Sequence, residues 1–329
     1  MSKPKVFVTR EIPDVGIKLL QKACSIDVWL EDTPPPVDVL QEKVRGIEGL
    51  LCLITETIDA ELMDLAGNQL KVISNYAVGY DNIDIQAATE RGILVTNTPG
   101  VLMETTADLA FSLLMSAARR IVEGVDYVKA GKWVTWGPKI LLGHDVHGAT
   151  LGIIGLGEIG SAVARRATGF DMNVIYYDHK PRSEISEKTG ARLCESLDDL
   201  LSEADFISLH VPLTSTTRHL IDAGAFKKMK KNTILINTSR GQVVDNDALY
   251  VALNTHQIAY AALDVTDPEP LPVNHKLLTL ENCIVIPHLG SASIATRNRM
   301  SMIAAENLIT ALNGELPKHI VNPEVLPYK

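Results

Sequence analysis

The sequence predicts two α/β domains, each built around a doubly wound parallel sheet with helices on both faces. Short apolar runs alternate with helical stretches along nearly the whole chain, which is the pattern of parallel sheets. A glycine-rich segment directly follows one of these runs. The chain has 329 residues, of which 46% are hydrophobic, so it is long enough for two hydrophobic cores.

The first hundred residues contain five apolar runs that we interpret as strands, separated by helical stretches. The strands are expected at 6–8, 26–29, 50–54, 70–74 and 93–96. Helices are expected at 13–23, 37–44, 59–66 and 85–90. This part of the chain has no phosphate-binding sequence of its own. We predict a flavodoxin-like domain that binds substrate.

After a break at 97–100, we expect one long helix from Glu104 to Lys129. Its first half is apolar around most of the circumference, which predicts burial between the domains and a second subunit or, alternatively, within one domain. The strands that follow are expected at 151–154, 173–177, 205–209, 233–237, 260–264 and 283–286.

A last helix is expected at about 293–313, ended by Gly314. The tail after it is too short for a domain, so we expect it to return to the first one. We therefore predict a discontinuous substrate domain, 1–101 plus 291–329. The dinucleotide-binding Rossmann domain is predicted at 102–290, with the cleft between the two domains.

The segment from Leu151 to Gly160 predicts a dinucleotide site, because a strand, a GxGxxG sequence and a helix follow in the required order. Gly155 allows a tight turn, Gly157 leaves room for a pyrophosphate, and Gly160 lets the helix approach the sheet. The intervening residues Leu156, Glu158 and Ile159 are assigned to the cofactor with them.

The next strand ends at Asp178, where a carboxylate can accept a hydrogen bond from an adenosine ribose 2′-OH. Asp178 therefore favours NAD(H), because a carboxylate repels a 2′-phosphate. A histidine and two cationic side chains follow at once, His179, Lys180 and Arg182, so NADP(H) remains possible.

The composition excludes several other classes of protein. A net charge of -9 argues against a nucleic-acid partner, which normally leaves a basic footprint. The four cysteines are scattered without metal-ligand spacing, which indicates free thiols in a reducing compartment. The sequence shows no signal-peptide core and no apolar stretch of membrane-spanning length. We therefore expect a cytoplasmic protein without a membrane partner.

Polar residues follow three strands of the second domain, where ligands of open α/β sheets bind. Arg240 is suited to a carboxylate, and Glu269, between two prolines, is suited to orienting an imidazole. His288 is suited to transferring a proton near neutral pH. Each residue alone is as well explained by a structural role, but all three on one nucleotide-binding sheet indicate an active site. Asp264 ends a strand beside them.

Along essentially its whole length, the sequence resembles the D-isomer-specific 2-hydroxyacid dehydrogenases, and among them most closely the glyoxylate/hydroxypyruvate reductases. The resemblance rests on four motifs: GLGEIG at 155–160, NTSRG at 237–241, DVTDPEPLP at 264–272 and PHLGSA at 287–292. Less specific sequence features indicate the reductases within this family: WVTW at 133–136, LPVNH at 271–275 and AVGYD at 77–81.

The resemblance implies roles for these residues. His288 would give a proton to the keto oxygen of a small 2-keto acid, and Glu269 would keep that histidine protonated. Arg240 would bind the substrate carboxylate and carbonyl, and Asp264 would meet the nicotinamide carboxamide. Further substrate contacts are implied for Ser291, for Trp136 and for the backbone N–H groups of Val78 and Gly79. Further cofactor contacts are implied for His210, Pro212, Thr238, Ser239 and Gly290.

In similar enzymes a tryptophan from the loop that holds Trp136 reaches the partner subunit's active site, which implies a homodimer. Three alternatives stay open: a D-lactate-type, a formate or a phosphite dehydrogenase of the same family. A dinucleotide-sensing corepressor is a fourth, although the extra tails and basic segments that favour such a role are not evident. His144 and His147 are only a weak indication of a metal site, because the sequence places no third ligand near them. We expect no bound metal ion.

Overall fold

The computed structural model describes residues 3–326, and the chain divides into two compact units. One unit comprises Met1–Leu102 and Ala292–Lys329, and the other comprises Met103–Ser291. The end of the predicted tail, including Pro327, lies outside the described residues. Each unit contains one all-parallel sheet with helices between its strands, so the predicted fold class is confirmed.

The first unit contains a five-stranded sheet with the order β2-β1-β3-β4-β5. Its strands are β1 Lys5–Val8, β2 Ser25–Val28, β3 Gly49–Cys52, β4 Val72–Asn75 and β5 Leu94–Thr96. Its first helices are α1 Asp14–Ala23, α2 Val37–Lys43, α3 Ala60–Ala66 and α4 Ile85–Glu90. Both β3 and β4 are buried at every residue, as expected of central parallel strands covered on both faces.

The second unit contains a seven-stranded sheet with the order β12-β11-β10-β9-β6-β7-β8. Its strands are β6 Thr150–Ile154, β7 Asn173–Tyr177, β8 Arg192–Leu193, β9 Phe206–Leu209, β10 Ile234–Asn237, β11 Tyr260–Leu263 and β12 Cys283–Val285. Its helices are α5 Met103–Ala118, α6 Ile121–Lys129, α7 Glu158–Thr168, α8 Ser183–Thr189, α9 Leu197–Glu203, α10 Ala223–Lys228 and α11 Asn246–Asn254.

The prediction of a single helix from Glu104 to Lys129 is wrong, because α5 ends at Ala118 and α6 starts at Ile121. The chain turns at Arg120, which has a left-handed φ of 52°. The carbonyl oxygen of Ala118 instead accepts the N–H of His144 at 2.8 Å, so a distant loop ends the first helix. Eight residues of α5 are buried and none of α6 is, so the expected burial holds for the first helix only.

The final helix, α12 Ile294–Leu312, packs in the first unit. It lies so close to α1 that a Cβ added to Gly16 would be 2.2 Å from Ser301 Oγ. The tail that follows reaches β5, where the N–H of Val321 donates to Val95 O at 2.8 Å. The side chain of Asn322 accepts the Val95 N–H and donates to the Ile93 carbonyl, which fixes this sheet edge.

The four cysteines are free: Cys24, Cys52 and Cys194 are buried, and Cys283 is partly buried. Burial raises the pKa of the Cys283 thiol to about 12, so it stays protonated at neutral pH. None of the helices within residues 3–326 combines the length and the apolar character that crossing a bilayer requires.

Candidate active site

The polar residues singled out in the sequence lie along one edge of the seven-stranded sheet. Because all its strands are parallel, the residues that follow them meet at the same edge. In the spatial order β12, β11, β10, β9, β6 and β7, these residues are His288, Asp264, Arg240, His210, Gly155 and Asp178. The chain order reverses between β9 and β6, which is where ligands bind in sheets of this type.

The glycine-rich turn has the shape that a pyrophosphate requires. Gly155 has a left-handed φ of 92°, and a Cβ there would be 2.8 Å from His210 O. A Cβ on Gly160 would be 2.2 Å from Gly155 O, so only glycine lets α7 start this close to β6. By contrast, a Cβ on Gly157 would meet no atom within 4 Å, so the space in front of the helix N-terminus is open.

The Asp178 carboxylate makes more contacts within the protein than the sequence predicts. Its carboxylate accepts the N–H of Leu156 at 3.0 Å and the Nε of Arg182 at 3.2 Å, and it lies 2.7 Å from His179 Nδ1. Burial opposes its ionisation, but the hydrogen bonds from Arg182, Lys180 and Leu156 outweigh it and lower the pKa of the carboxyl. Asp178 is therefore an ionised group that holds the glycine-rich turn, and its charge is partly compensated by the Arg182 guanidinium.

Two buried polar atoms beside this turn have no hydrogen-bond partner among residues 3–326: His210 Nδ1 and Thr238 Oγ1. Burial lowers the pKa of His210 to about 3, so the imidazole is neutral, and its Nε2 lies 2.8 Å from Ser208 Oγ. Such atoms are costly unless a ligand or water satisfies them. Together with the open glycine turn they fit a polar cofactor. Pro212, also assigned to it, lies in the loop after β9.

The loop that carries Arg240 is held by Asn237, the last residue of β10. The Asn237 side chain accepts from the N–H and the hydroxyl of Ser239 and donates to Arg240 O at 2.9 Å. A Cβ on the next residue, Gly241, would be 1.9 Å from Thr266 O, so this loop is pressed against the one that carries Glu269. The guanidinium of Arg240 donates to Ser239 O at 2.8 Å.

His288 and Glu269 form a direct pair, with 2.5 Å between Nδ1 and Oε1. Both side chains are partly exposed, at 29% and 38%, so the pair is accessible to a ligand. The second oxygen of Glu269 faces the Thr266 N–H at 3.4 Å. Because Nδ1 is engaged by the carboxylate, Nε2 is the ring nitrogen available for proton transfer. His288 itself has a left-handed φ of 52°.

Asp264 fixes the backbone around this histidine. Its buried carboxylate accepts the N–H groups of Leu289 at 2.5 Å and Gly290 at 2.9 Å, and its carbonyl accepts the His288 N–H at 3.0 Å. Burial raises the pKa of the Asp264 carboxyl, while the two N–H donors and His288 act against that rise. The sequence placed Asp264 at the strand end but did not reveal that it anchors the loop.

In the first unit, the loop with Val78 and Gly79 presents backbone donors. The Thr98 N–H donates to Ala77 O at 2.8 Å, and the Asn97 side chain donates to Val78 O at 2.8 Å. In a trans peptide the N–H points away from the C=O, so the Val78 and Gly79 N–H groups face away from these donors. Neither N–H has an acceptor within the described part of the chain.

Within residues 3–326, Trp136 and Ser291, the other residues implied in substrate binding, make no such hydrogen bonds. Trp136 lies in the loop after α6 with 79% of its surface exposed, and Ser291 is half-buried directly after the His288 loop. No cluster of three or more His, Cys, Asp or Glu side chains suited to a metal ion occurs among the described residues. The structure thus joins His288, Glu269 and Asp264 directly and couples the Arg240 loop to them.

Comparison with known proteins agrees with this geometry. Residues 111–290 match the sequence model of the D-isomer specific 2-hydroxyacid dehydrogenase NAD binding domain. A glyoxylate reductase of Korarchaeum cryptofilum is 52% identical over 325 residues, covering 98% of this chain and 97% of that protein. A glyoxylate reductase of Thermococcus litoralis is 51% identical over 328 residues, covering 98% of each.

Solved structures give the same result. A protein from Thermus thermophilus superimposes with a TM-score of 0.90 at 45% identity, covering 96% of this chain and 99% of that chain. An NADPH-dependent glyoxylate/hydroxypyruvate reductase from Sinorhizobium meliloti, in complex with NADP and malonate, has a TM-score of 0.86 at 31% identity. That alignment covers 100% of this chain and 99% of the other.

The glycine turn allows a paired test. In Gly157→Ala the new methyl group occupies open space in the fold, so the unfolding free energy should change by less than about 0.5 kcal/mol. The dissociation constant of NADH, measured by fluorescence titration, should rise roughly tenfold because the methyl group takes pyrophosphate space. Gly160→Ala is the matched contrast and should lose about 1–3 kcal/mol of stability. Unchanged NADH affinity in a folded Gly157→Ala protein would contradict the assignment.

Proposed function

The chain belongs to the D-isomer-specific 2-hydroxyacid dehydrogenase family, and we propose that it reduces glyoxylate and hydroxypyruvate to glycolate and D-glycerate with a reduced nicotinamide dinucleotide. The observation that carries this proposal is the His288–Glu269 pair, 2.5 Å apart at the nucleotide-binding edge of the sheet. Relatives that share half of the sequence along its whole length are glyoxylate reductases, which supports the choice of substrate.

The nicotinamide dinucleotide, when bound, supplies the hydride that reduces the keto carbon. His288 gives the proton from Nε2 to the substrate oxygen, which gains negative charge as the carbonyl is reduced. Glu269 holds Nδ1 and so orients the ring, which leaves Nε2 as the nitrogen that gives the proton. Arg240 binds the carboxylate and carbonyl, so its charge acts where negative charge develops.

The remaining assignments complete this proposal. The N–H groups of Val78 and Gly79 bind the substrate carboxylate, and Ser291 contacts the substrate. Trp136 contacts the substrate bound in the active site of the partner subunit. Asp264 approaches the nicotinamide carboxamide while anchoring the His288 loop. The cofactor is otherwise held by the glycine-rich turn 155–160 and by Asp178, His179, Lys180, His210, Pro212, Thr238, Ser239, Arg240, His288 and Gly290.

For the cofactor we propose NADH over NADPH. The pKa of the Asp178 carboxyl is lowered, so the group is ionised at neutral pH and its negative charge opposes a 2′-phosphate. The positive charge of Arg182 partly offsets the repulsion between this carboxylate and a 2′-phosphate but does not remove the carboxylate. The related enzyme from Sinorhizobium meliloti is NADPH-dependent, so a rate comparison is the decisive evidence.

A panel of initial rates tests function and cofactor together. Glyoxylate, hydroxypyruvate and pyruvate are each supplied with NADH or NADPH, while formate and phosphite are each supplied with NAD or NADP. The loss or gain of nicotinamide absorbance is recorded. We expect the highest kcat/KM with glyoxylate or hydroxypyruvate and NADH. Faster turnover of pyruvate, formate or phosphite would overturn the substrate assignment, and faster turnover with NADPH would overturn the cofactor assignment alone.

The role of His288 predicts a specific kinetic defect. His288→Ala should lower kcat by about 10²–10⁴, which is the usual contribution of a positioned acid. It should raise the NADH dissociation constant far less than it lowers kcat, because the glycine-rich turn and the other dinucleotide contacts remain. His147→Ala, which removes an exposed imidazole, is the control. Equal losses of turnover and of NADH affinity would show that His288 supports the fold or cofactor rather than giving a proton.

We also propose that the protein is a homodimer in the cytoplasm. Four apolar side chains of α6 are 43–53% exposed, and Trp133, Val134 and Trp136 in the next loop are 63–91% exposed. Apolar surface of this kind marks an interface, and a second copy of the chain would cover it. The free thiols are consistent with a reducing compartment.

Sedimentation equilibrium tests the dimer directly. The measured mass should be twice the 35.8 kDa of one chain. Val125→Lys places a charge on α6 and should shift the mass toward the monomer, because an unpaired charge is costly in an apolar interface. Val251→Lys, at a similarly exposed valine of α11, is the control and should leave the mass unchanged. A wild-type mass of one chain would refute the proposal.

A further inference from the structure

Asn75 occupies an unusual position for a polar side chain. It is the last residue of β4 and is fully buried. Its Nδ2 donates to Gly79 O at 2.7 Å and to Asn82 Oδ1 at 3.3 Å, and its Oδ1 lies 3.6 Å from Cys52 Sγ. Burying an amide is costly without such partners, so the side chain is retained together with these contacts.

The contact with Gly79 O sets the orientation of a peptide plane. Because the peptide is trans, a donor on Gly79 O directs the Tyr80 N–H to the opposite side. That N–H, like those of Val78 and Gly79, has no acceptor among residues 3–326. The two preceding peptides are held in the same way by Asn97 and the Thr98 N–H. Three successive carbonyls are thus bound by residues that end or follow β4 and β5.

Asn82 connects this arrangement to the rest of the sheet edge. Its Nδ2 donates to Leu53 O at 2.9 Å and to Glu56 O at 3.1 Å, beyond the end of β3. The buried carboxylate of Glu56 in turn accepts the Leu53 N–H at 2.8 Å and the Thr9 hydroxyl at 2.6 Å. The loop of residues 76–82 is therefore fixed from one side by side chains, while the N–H groups of Val78, Gly79 and Tyr80 have no acceptor among residues 3–326.

We propose that Asn75 is a positioning residue for the substrate: its amide fixes the Gly79–Tyr80 peptide and so holds the loop whose N–H groups bind the substrate carboxylate. This inference rests on the proposed function, because that function assigns Val78 and Gly79 to the carboxylate. Asn75 does not touch the reacting atoms. Its loss should therefore weaken substrate binding and leave the chemical step largely intact.

Asn75→Asp tests the proposal with almost no change in volume. The substitution replaces the donor with an oxygen that repels Gly79 O, so the peptide loses its orientation. The KM for glyoxylate should rise about tenfold or more, corresponding to one weakened charge-assisted contact. At saturating glyoxylate, kcat should stay within about threefold, and the KM for NADH should not change, because the dinucleotide contacts are untouched. The dissociation constant of oxamate, an unreactive analogue, should rise in parallel when measured calorimetrically with NADH present.

Asn322→Asp is the matched control. Asn322 is also a fully buried asparagine of the same unit, and its amide also donates to a backbone carbonyl, that of Ile93. The Asn322→Asp variant should lose about as much stability as Asn75→Asp, but its KM for glyoxylate should not change. Should Asn75→Asp fail to fold, Asn82→Ala, which removes a partner of Asn75, should raise the same KM by a smaller factor.

The outcomes separate the two proposals. A wild-type enzyme that does not turn over glyoxylate refutes the proposed function, while weaker oxamate binding in Asn75→Asp would still support the positioning role. A wild-type enzyme that turns over glyoxylate, with KM and oxamate affinity unchanged in Asn75→Asp, overturns the positioning role alone. An equal rise of KM in Asn322→Asp, or a fall in kcat without a rise in KM, also overturns it.

Discussion

The buried carboxylate of Asp264 is the contact on which the arrangement of the active site depends. It holds the N–H groups of Leu289 and Gly290, and thereby the turn in which His288 adopts a left-handed backbone conformation. A left-handed φ is unfavourable for a residue with a side chain, so the surrounding contacts must maintain it. Once this turn is fixed, the imidazole is directed at Glu269, and a single ring nitrogen remains for proton transfer.

The same solution recurs at other strand ends of both units. Asn237 holds the loop before Arg240, Asp178 holds the glycine-rich turn through Leu156, and Asn75 holds the loop with Gly79. In each case a polar side chain just after a buried strand, or at its end, bonds backbone groups of a nearby turn. Parallel strands place these side chains at one edge of their sheet, and the turns they hold carry the groups assigned to ligands.

What the sequence predicts well is what is encoded locally. The glycine-rich turn can be predicted because its strand, glycines and helix are contiguous in the sequence. His288, Glu269 and Arg240 can be proposed as site residues because each lies in a segment that follows an apolar run. The end of α5 at Ala118 was not predicted, because the Ala118 carbonyl accepts the N–H of His144, which is distant in the sequence. Similarly, Asp178 accepts a hydrogen bond from the glycine-rich turn, and Asp264 accepts two from the loop that follows His288. Both contacts join separate loops, which leave no periodic signal in the sequence.

The most direct measurement is a crystal structure of the protein with NADH and oxamate bound. In oxamate the amide-bearing carbonyl stands in for the keto group of the substrate. We expect His288 Nε2 and a guanidinium nitrogen of Arg240 both to lie within about 3.2 Å of that carbonyl oxygen. We also expect the nicotinamide ring to face the carbonyl carbon. A complex in which oxamate binds away from His288, or in which Arg240 and His288 contact different molecules, would contradict the central claim.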